Sequence, residues 1–371
     1  MDPLYIGFGI IAALVGTYVL LWFVRLTVDW RNERDLVFLR ILVPKKESRE
    51  EKETSSERFS TGQDFKEVLG VMDHLYEALH GLYRETIDRF WKGQPSISLE
   101  YAALQNEILF FVVCPRTIVQ VVEKRITSFY PDVIIDEVED YNIFTDKSVV
   151  AAKALIAEKR FTKPFKTYQH LKSDPLSTMT NAFSKLKETE GAAVQFVLKP
   201  VRQGWQKKLQ KEAHSIINPS KKRAKWWNPI SWISATFSMF TTGEHVVDLQ
   251  GEERSVGERV SQMEEEYSKT MDEKASGPGF RAVIRVVTSA ENASRAQNLL
   301  EEVYTAFSQF KEVRGNNLRR SRLCPRQSVI TRFIRRSPRI GLVQGIVHPL
   351  ILLGTSELTS FFHFPNIKYN K

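Results

Sequence analysis

Cysteine is almost missing from this sequence; Cys114 and Cys324 are the only two. That pair makes neither a disulfide framework nor a metal-binding cysteine motif, and the usage fits a reducing compartment. Cys114 sits in an apolar stretch beside Pro115, which predicts a buried, inert thiol. No Gly-Lys dipeptide occurs anywhere. A P-loop needs a glycine-rich backbone to cradle phosphates and a lysine to reach them, so nucleotide hydrolysis of that type is excluded. A Gly-x-Ser-x-Gly elbow and a His-Glu-x-x-His helix are missing as well. The histidines are scattered, and the spacing of His74 and His80 does not put both rings on one helical face. No catalytic residue, cofactor or metal site is expected.

The acidic cluster Asp136, Glu137, Glu139 and Asp140 offers paired carboxylates for acid–base work or a divalent cation. Alternation along a strand sends Asp136 and Glu137 to opposite faces, so an exposed strand end fits better. Asn292-Ala-Ser294 matches a glycosylation acceptor, which has no meaning in a cytoplasmic chain.

One long apolar run is present. Leu4 to Val24 holds 21 residues without a charge, about 32 Å as a helix, enough to cross a bilayer core. Trp22 suits an interfacial aromatic belt, and Arg25 opens a stretch to Lys46 with six Lys/Arg and three acids. A secretory signal would carry its charge before a shorter run. A single-pass inner-membrane anchor is therefore expected, with Leu4, Trp22, Val24 and Arg25 at its core and ends. The N-terminus would lie outside and the body in the cytoplasm.

The rest alternates strands and helices. Leu36 to Val43 reads as a strand and Lys45 to Gln63 as a polar loop. Phe65, Val68, Leu69, Met72, Leu75, Leu79 and Leu82 mark one helical stripe. Ile97–Tyr101 and Ile108–Val113 form a strand pair, Pro115 opens a helix, and Val133–Val138 closes the unit. That order is the split βαβ, or ferredoxin-like, arrangement. Strands at Val149–Ile156, Ala192–Leu198 and Phe280–Val287, helices at Leu176–Leu186 and Ala293–Phe310, and a short strand at Asn317–Arg322 repeat it. Roughly 80 residues, 201–279, interrupt the repeat, a loop length associated with function or disorder. The expected class is α+β: an N-terminal transmembrane helix, then two ferredoxin-like units, the second with a long insertion. The expected divisions are 1–35 for anchor and juxtamembrane segment, 36–146 and 147–324 for the two units, and 325–371 for a basic C-terminal segment.

Charge is distributed in blocks. Lys199 to Lys225 holds nine Lys/Arg and one acid, Glu244 to Glu273 ten acids and three Lys/Arg, and Lys311 to Arg339 ten Lys/Arg and one acid. Lys207, Lys208, Lys211, Lys221, Lys222, Arg223 and Lys225 run into Trp226 and Trp227. Cations beside aromatic rings suit an anionic membrane surface, and equally a nucleic acid read by phosphate contact and stacking; a solvated helix face with its aromatics packed inward has the same composition. Arg319, Arg320, Arg322, Arg326, Arg332, Arg335, Arg336 and Arg339 make the second block a candidate docking surface for an anionic partner, an acidic protein as well as a phosphate backbone.

Residues 353–366 read Leu-Gly-Thr-Ser-Glu-Leu-Thr-Ser-Phe-Phe-His-Phe-Pro-Asn. This resembles the segment leading into the motor domain of membrane-anchored conjugation and type IV secretion ATPases of the HerA/FtsK-like class from uncultured bacteria. Val43-Pro44-Lys45, Leu79-His80-Gly81-Leu82, Phe129-Tyr130-Pro131 and Glu137 to Tyr141 resemble the front module of the same proteins. The resemblance implies a place beside a translocating machine and carries over no catalytic residue. The chain stops where the ATPase domain would begin, so that ATPase is expected in trans or in a longer gene product. The function expected is a non-catalytic anchor and docking module; the alternative is a membrane-tethered nucleic-acid-binding protein without a motor. Oligomeric state stays open.

Overall fold

The computed structural model describes residues 33–43, 64–145, 147–217, 262–339 and 350–365, with scattered helical residues between 16 and 31. Among the described residues no helix is long and apolar enough to cross a membrane. Leu4, Trp22 and Arg25 lie outside the described residues, while Val24 is helical and half-buried.

The protein is α+β, built on one antiparallel sheet. In chain order its elements are β1 (Leu36–Leu42), α1 (Asp64–His80), α2 (Thr86–Lys92), β2 (Ile97–Leu104), β3 (Glu107–Pro115), α3 (Val119–Phe129), β4 (Ile134–Val138) and β5 (Val149–Ala157). There follow α4 (Pro175–Phe183), β6 (Gly191–Pro200), α5 (Trp205–Ile217), α6 (Gln262–Ser276), β7 (Gly279–Ala290), α7 (Ala293–Ala306), β8 (Leu318–Arg320), α8 (Arg326–Ile334), β9 (Ile351–Gly354) and α9 (Thr355–Phe361). The strands lie in the order β4-β1-β3-β2-β6-β7-β5-β8, with β9 pairing to β7. All of these pairings are antiparallel.

Local chemistry accounts for the elements. Alternation in β1 sends Val37, Leu39 and Ile41 into the core, the period-2 pattern of a strand. Gln105 and Asn106, at φ 50° and 63°, turn β2 into β3, the left-handed pair that matches strand twist. A 3-10 turn, Arg116–Ile118, precedes α3 where the proline predicted an immediate helix. Asp174 caps α4 by accepting the Leu176 N–H at 2.8 Å, with Pro175 at the first position where it costs no hydrogen bond. The predicted helix to Leu186 stops at Phe183.

Helices α1, α3, α4 and α7 cover one face of the sheet and share a core with it. The C-terminal segment fills the space between them. Leu358, Phe361, Phe362 and Phe364 are buried there, with Phe362 stacked on Tyr101 at 4.4 Å. Tyr76 donates to the Phe362 carbonyl at 2.8 Å, and the Tyr101 hydroxyl accepts the His363 N–H at 3.0 Å. A segment legible only as a short motif is thus part of the core. The opposite face carries a second core under α8, with Val329 and Phe333 facing inward. Cys114 is fully buried, and burial pushes its thiol pKa up to about 12.

Candidate docking surface

The face beneath α8 holds a row of polar side chains in an otherwise apolar sheet. Glu100 on β2 stands opposite Gln195 on β6, and Gln195 stands opposite Arg285 on β7. All three are 0–1 % exposed, so each needs a partner. Gln195 Nε2 donates to Glu100 Oε1 at 2.9 Å, and its Oε1 accepts from Arg285 Nη1 at 2.7 Å. Arg285 Nη2 then donates to the carbonyls of Ser337 and Arg339 at 2.5 and 2.7 Å. Burial, with Arg332 close by, pulls the Arg285 pKa down to about 9, leaving it charged at neutral pH.

Arg336 closes the network from above. Its φ of 49° is a left-handed conformation costing a non-glycine residue about 1–2 kcal/mol. The turn drives the side chain inward: Nη1 and Nη2 each reach Asp140 at 2.6 Å, and Nε reaches Glu100 at 3.3 Å. The guanidinium lies over Phe38 at 4.6 Å and Tyr141 at 5.4 Å. Burial opposes its charge, but Glu100, Asp140 and Tyr141 outweigh that and raise its pKa above the arginine range. Asp140 is raised by burial, against the pull of Arg336. Tyr141 donates to Glu100 Oε2 at 2.6 Å. Of the predicted acidic cluster, Asp140 thus joins the network through Arg336, while Asp136 pairs Arg40 and Glu137 pairs Arg116.

Outside this network lies an open cleft of about 400 Å³ lined by Arg332, Arg335, Arg339, Ser328, Thr331, Gln327, Ser337 and Glu33. Arg332 is held by Ser328 Oγ at 3.1 Å. Arg335 is exposed and makes no ion pair among the described residues. Arg285 lies below. Three guanidinium groups therefore share one opening in which, among the described residues, Glu33 is the one carboxylate of the lining. The chemistry of this lining is complementary to an anion, a carboxylate or a phosphate group.

The predicted arginine block divides in space. Arg332, Arg335 and Arg339 share the cleft; Arg326 is exposed at the start of α8, its Nη1 3.4 Å from the Val150 carbonyl. Arg336 is buried and serves the network instead. Arg319 and Arg322 are exposed near the β8 edge, where Arg320 pairs Glu301 and lies over the Tyr304 ring. In the other basic block, Lys207 and Lys211 are exposed on α5, which packs on α6 through Leu209, Ala213, Met271 and Ala275. Lys208 lies over the Phe161 ring at 5.3 Å. Lys221, Lys222, Arg223, Lys225, Trp226 and Trp227 lie outside the described residues.

Glu100, Gln195 and Arg285 did not emerge from motif reading. Their signal was nonetheless present, as a polar residue flanked by apolar ones in the middle of three strands, ISLEYAAL, GAAVQFVLKP and GFRAVIRVVTSA. Among the described residues no three of His, Cys, Asp and Glu gather to hold a metal ion.

Fold and cleft together define an α+β protein with a buried polar seam beneath an arginine-lined cleft. A family model described as "Domain of unknown function (DUF8128)" matches residues 53–371, and the chain belongs to that family. No curated protein matches the chain.

Proposed function

We propose that this protein is a non-catalytic, single-pass membrane anchor and docking module for a ring ATPase of a type IV secretion or conjugation-like apparatus. The observation that carries the reading is the cleft lined by Arg332, Arg335 and Arg339. The apolar run from Leu4 to Val24, followed by Arg25, supports an inner-membrane tether with the body in the cytoplasm. The order β4-β1-β3-β2, mirrored by β6-β7-β5-β8, supports two ferredoxin-like units joined edge to edge at β2 and β6.

The test uses the full chain in detergent with the ATPase identified by mass spectrometry. Capture of a hexameric P-loop ATPase by the wild type, reduced at least tenfold by an Arg332→Glu, Arg335→Glu double variant (about 1.4 kcal/mol or more), is the expected result. No such ATPase at any salt concentration overturns it. DNA binding that falls steeply with salt and depends on the same two arginines favours the nucleic-acid reading instead.

A further inference from the structure

Helix α2 leaves its apolar side chains outside. None of its residues is buried, Ile87 is 76 % exposed and Trp91 66 % exposed. Ile87, Phe90 and Trp91 recur at i, i+3 and i+4, so they share one face, and Phe90 meets Trp91 edge-on at 5.1 Å. Water is an unfavourable environment for such a face.

The helix is not a loose excursion. Arg84 Nη1 donates to the carbonyls of Lys92 and Gly93 at 2.9 and 3.0 Å, bridging the base of the loop. Gln94, 9 % exposed, accepts the Arg84 N–H at 3.0 Å and donates to the Leu82 carbonyl at 3.3 Å. The apolar face is therefore held out on a fixed base.

Its position in the fold identifies the occupant. In β3, Pro115 pairs Leu36 and Val113 pairs Ser98, so β1 and β2 both begin at the same end of the sheet. Two strand spacings separate them, about 10 Å. The chain before Leu36, with its 21-residue uncharged run, reaches the body at that end, and α2 leads into β2 there. Arg84, Arg89 and Lys92 flank the apolar face, and Asp88 is already paired to Lys92 at 2.9 Å. A tryptophan with aliphatic and phenyl neighbours, rimmed by cations, matches the headgroup region of an anionic bilayer.

We propose that α2 is a second membrane contact, lying in the interface with Ile87, Phe90 and Trp91 in the headgroup–acyl boundary and fixing how the body stands on the bilayer. This rests on the membrane-anchor reading above. The test labels single cysteines with an environment-sensitive fluorophore in the full chain, reconstituted into vesicles of phosphatidylcholine and phosphatidylglycerol that contain spin-labelled lipid. The native cysteines are buried and stay unlabelled. Three positions are compared: Ile87→Cys on α2, Thr17→Cys in the apolar run, and Glu107→Cys at the opposite end of the sheet. Quenching at Ile87→Cys and Thr17→Cys, several-fold above that at Glu107→Cys, is the expected result. Quenching at Thr17→Cys but not Ile87→Cys overturns the α2 contact and leaves the anchor standing. No quenching at either overturns both. A fluorophore at Ile87→Cys shielded in detergent as protein concentration rises, and not quenched in vesicles, assigns the face to a second copy and overturns the proposal.

Discussion

Glu100 and Gln195 face each other across the β2–β6 pairing, with Gln195 Nε2 2.9 Å from Glu100 Oε1. That contact joins the two four-stranded halves of the sheet on the face away from the main core. It also ties α8 down, since Gln195 donates to the Phe333 carbonyl at 3.0 Å and Glu100 receives Arg336.

Removing the carboxylate should therefore damage more than one contact. Glu100→Ala leaves Tyr141 and part of Arg336 without their acceptor and removes one of the two acceptors of Gln195, and about 3–5 kcal/mol of stability should be lost. Glu100→Gln keeps one acceptor oxygen and should cost less. Urea unfolding of both variants measures the difference; equal stability of Glu100→Ala and wild type would refute the network's role.

Adjacent arginines should behave in opposite ways. Arg335→Ala removes an exposed side chain without an ion-pair partner and should change stability by less than about 0.5 kcal/mol. Arg336→Ala strands the buried Glu100 carboxylate and removes the partner of Asp140, and should cost about 3 kcal/mol or more. Partner capture should show the reverse order of specificity: Arg335→Ala weakens it in a protein of unchanged melting temperature.

Acid stability should carry the signature of Asp174. Burial works against its charge, but the His363 ring, with Nε2 at 2.8 Å, and the Leu176 N–H outweigh this and hold the carboxyl below its usual range. The His363 Nδ1 faces the Thr359 carbonyl at 2.9 Å, so the ring is held between that carbonyl and the Asp174 carboxylate. With the folded pKa depressed, this contribution is fully present above the unfolded value near 4 and is lost as pH falls through the folded one. Asp73 acts oppositely: burial raises its pKa despite hydroxyl donors from Thr359, Tyr168 and Ser356, so its protonation at low pH favours the folded state. Asp174→Asn should be less stable at neutral pH and show a flatter decline below pH 4. Parallel curves of unfolding midpoint against pH would exclude this assignment.

The pair Lys274–Glu357 gives a fourth prediction. Its charges are 3.0 Å apart with side chains 1–2 % exposed, and burial lowers the Lys274 pKa against the opposing pull of the Glu357 charge. Glu357 also accepts the N–H groups of Phe165 and Gly354 at 2.7 and 3.1 Å. Lys274→Met, which leaves those two donors in place, should cost less than Glu357→Ala, which strands a buried ammonium and both amides. Thermal melts of the two variants decide it, and a larger loss in Lys274→Met contradicts the geometry.

The periodic elements were legible in the sequence because their cause is local. The stripe from Phe65 to Leu79 forms α1, and the alternating Val37, Leu39 and Ile41 form β1, since both patterns answer only to the geometry of their own backbone. The charge block at Arg319 to Arg339 was legible as composition and no further. Arg335 and Arg336 are indistinguishable as neighbours in a list, yet a left-handed φ at Arg336 buries one and leaves the other in the cleft. The two outer elements α2 and α8 carry too few turns for a strong helical period, and α9 reads as a motif without revealing that it lies inside the core. Glu100, Gln195 and Arg285 show the limit most plainly. Each is visible alone as a polar residue in an apolar strand, but their meeting depends on the register of strands far apart in the chain. The sequence by itself determined which segments become strands and helices and which faces are apolar. Tertiary structure alone decided which buried charges found one another, because only packing brings distant strands into register and removes water from between them.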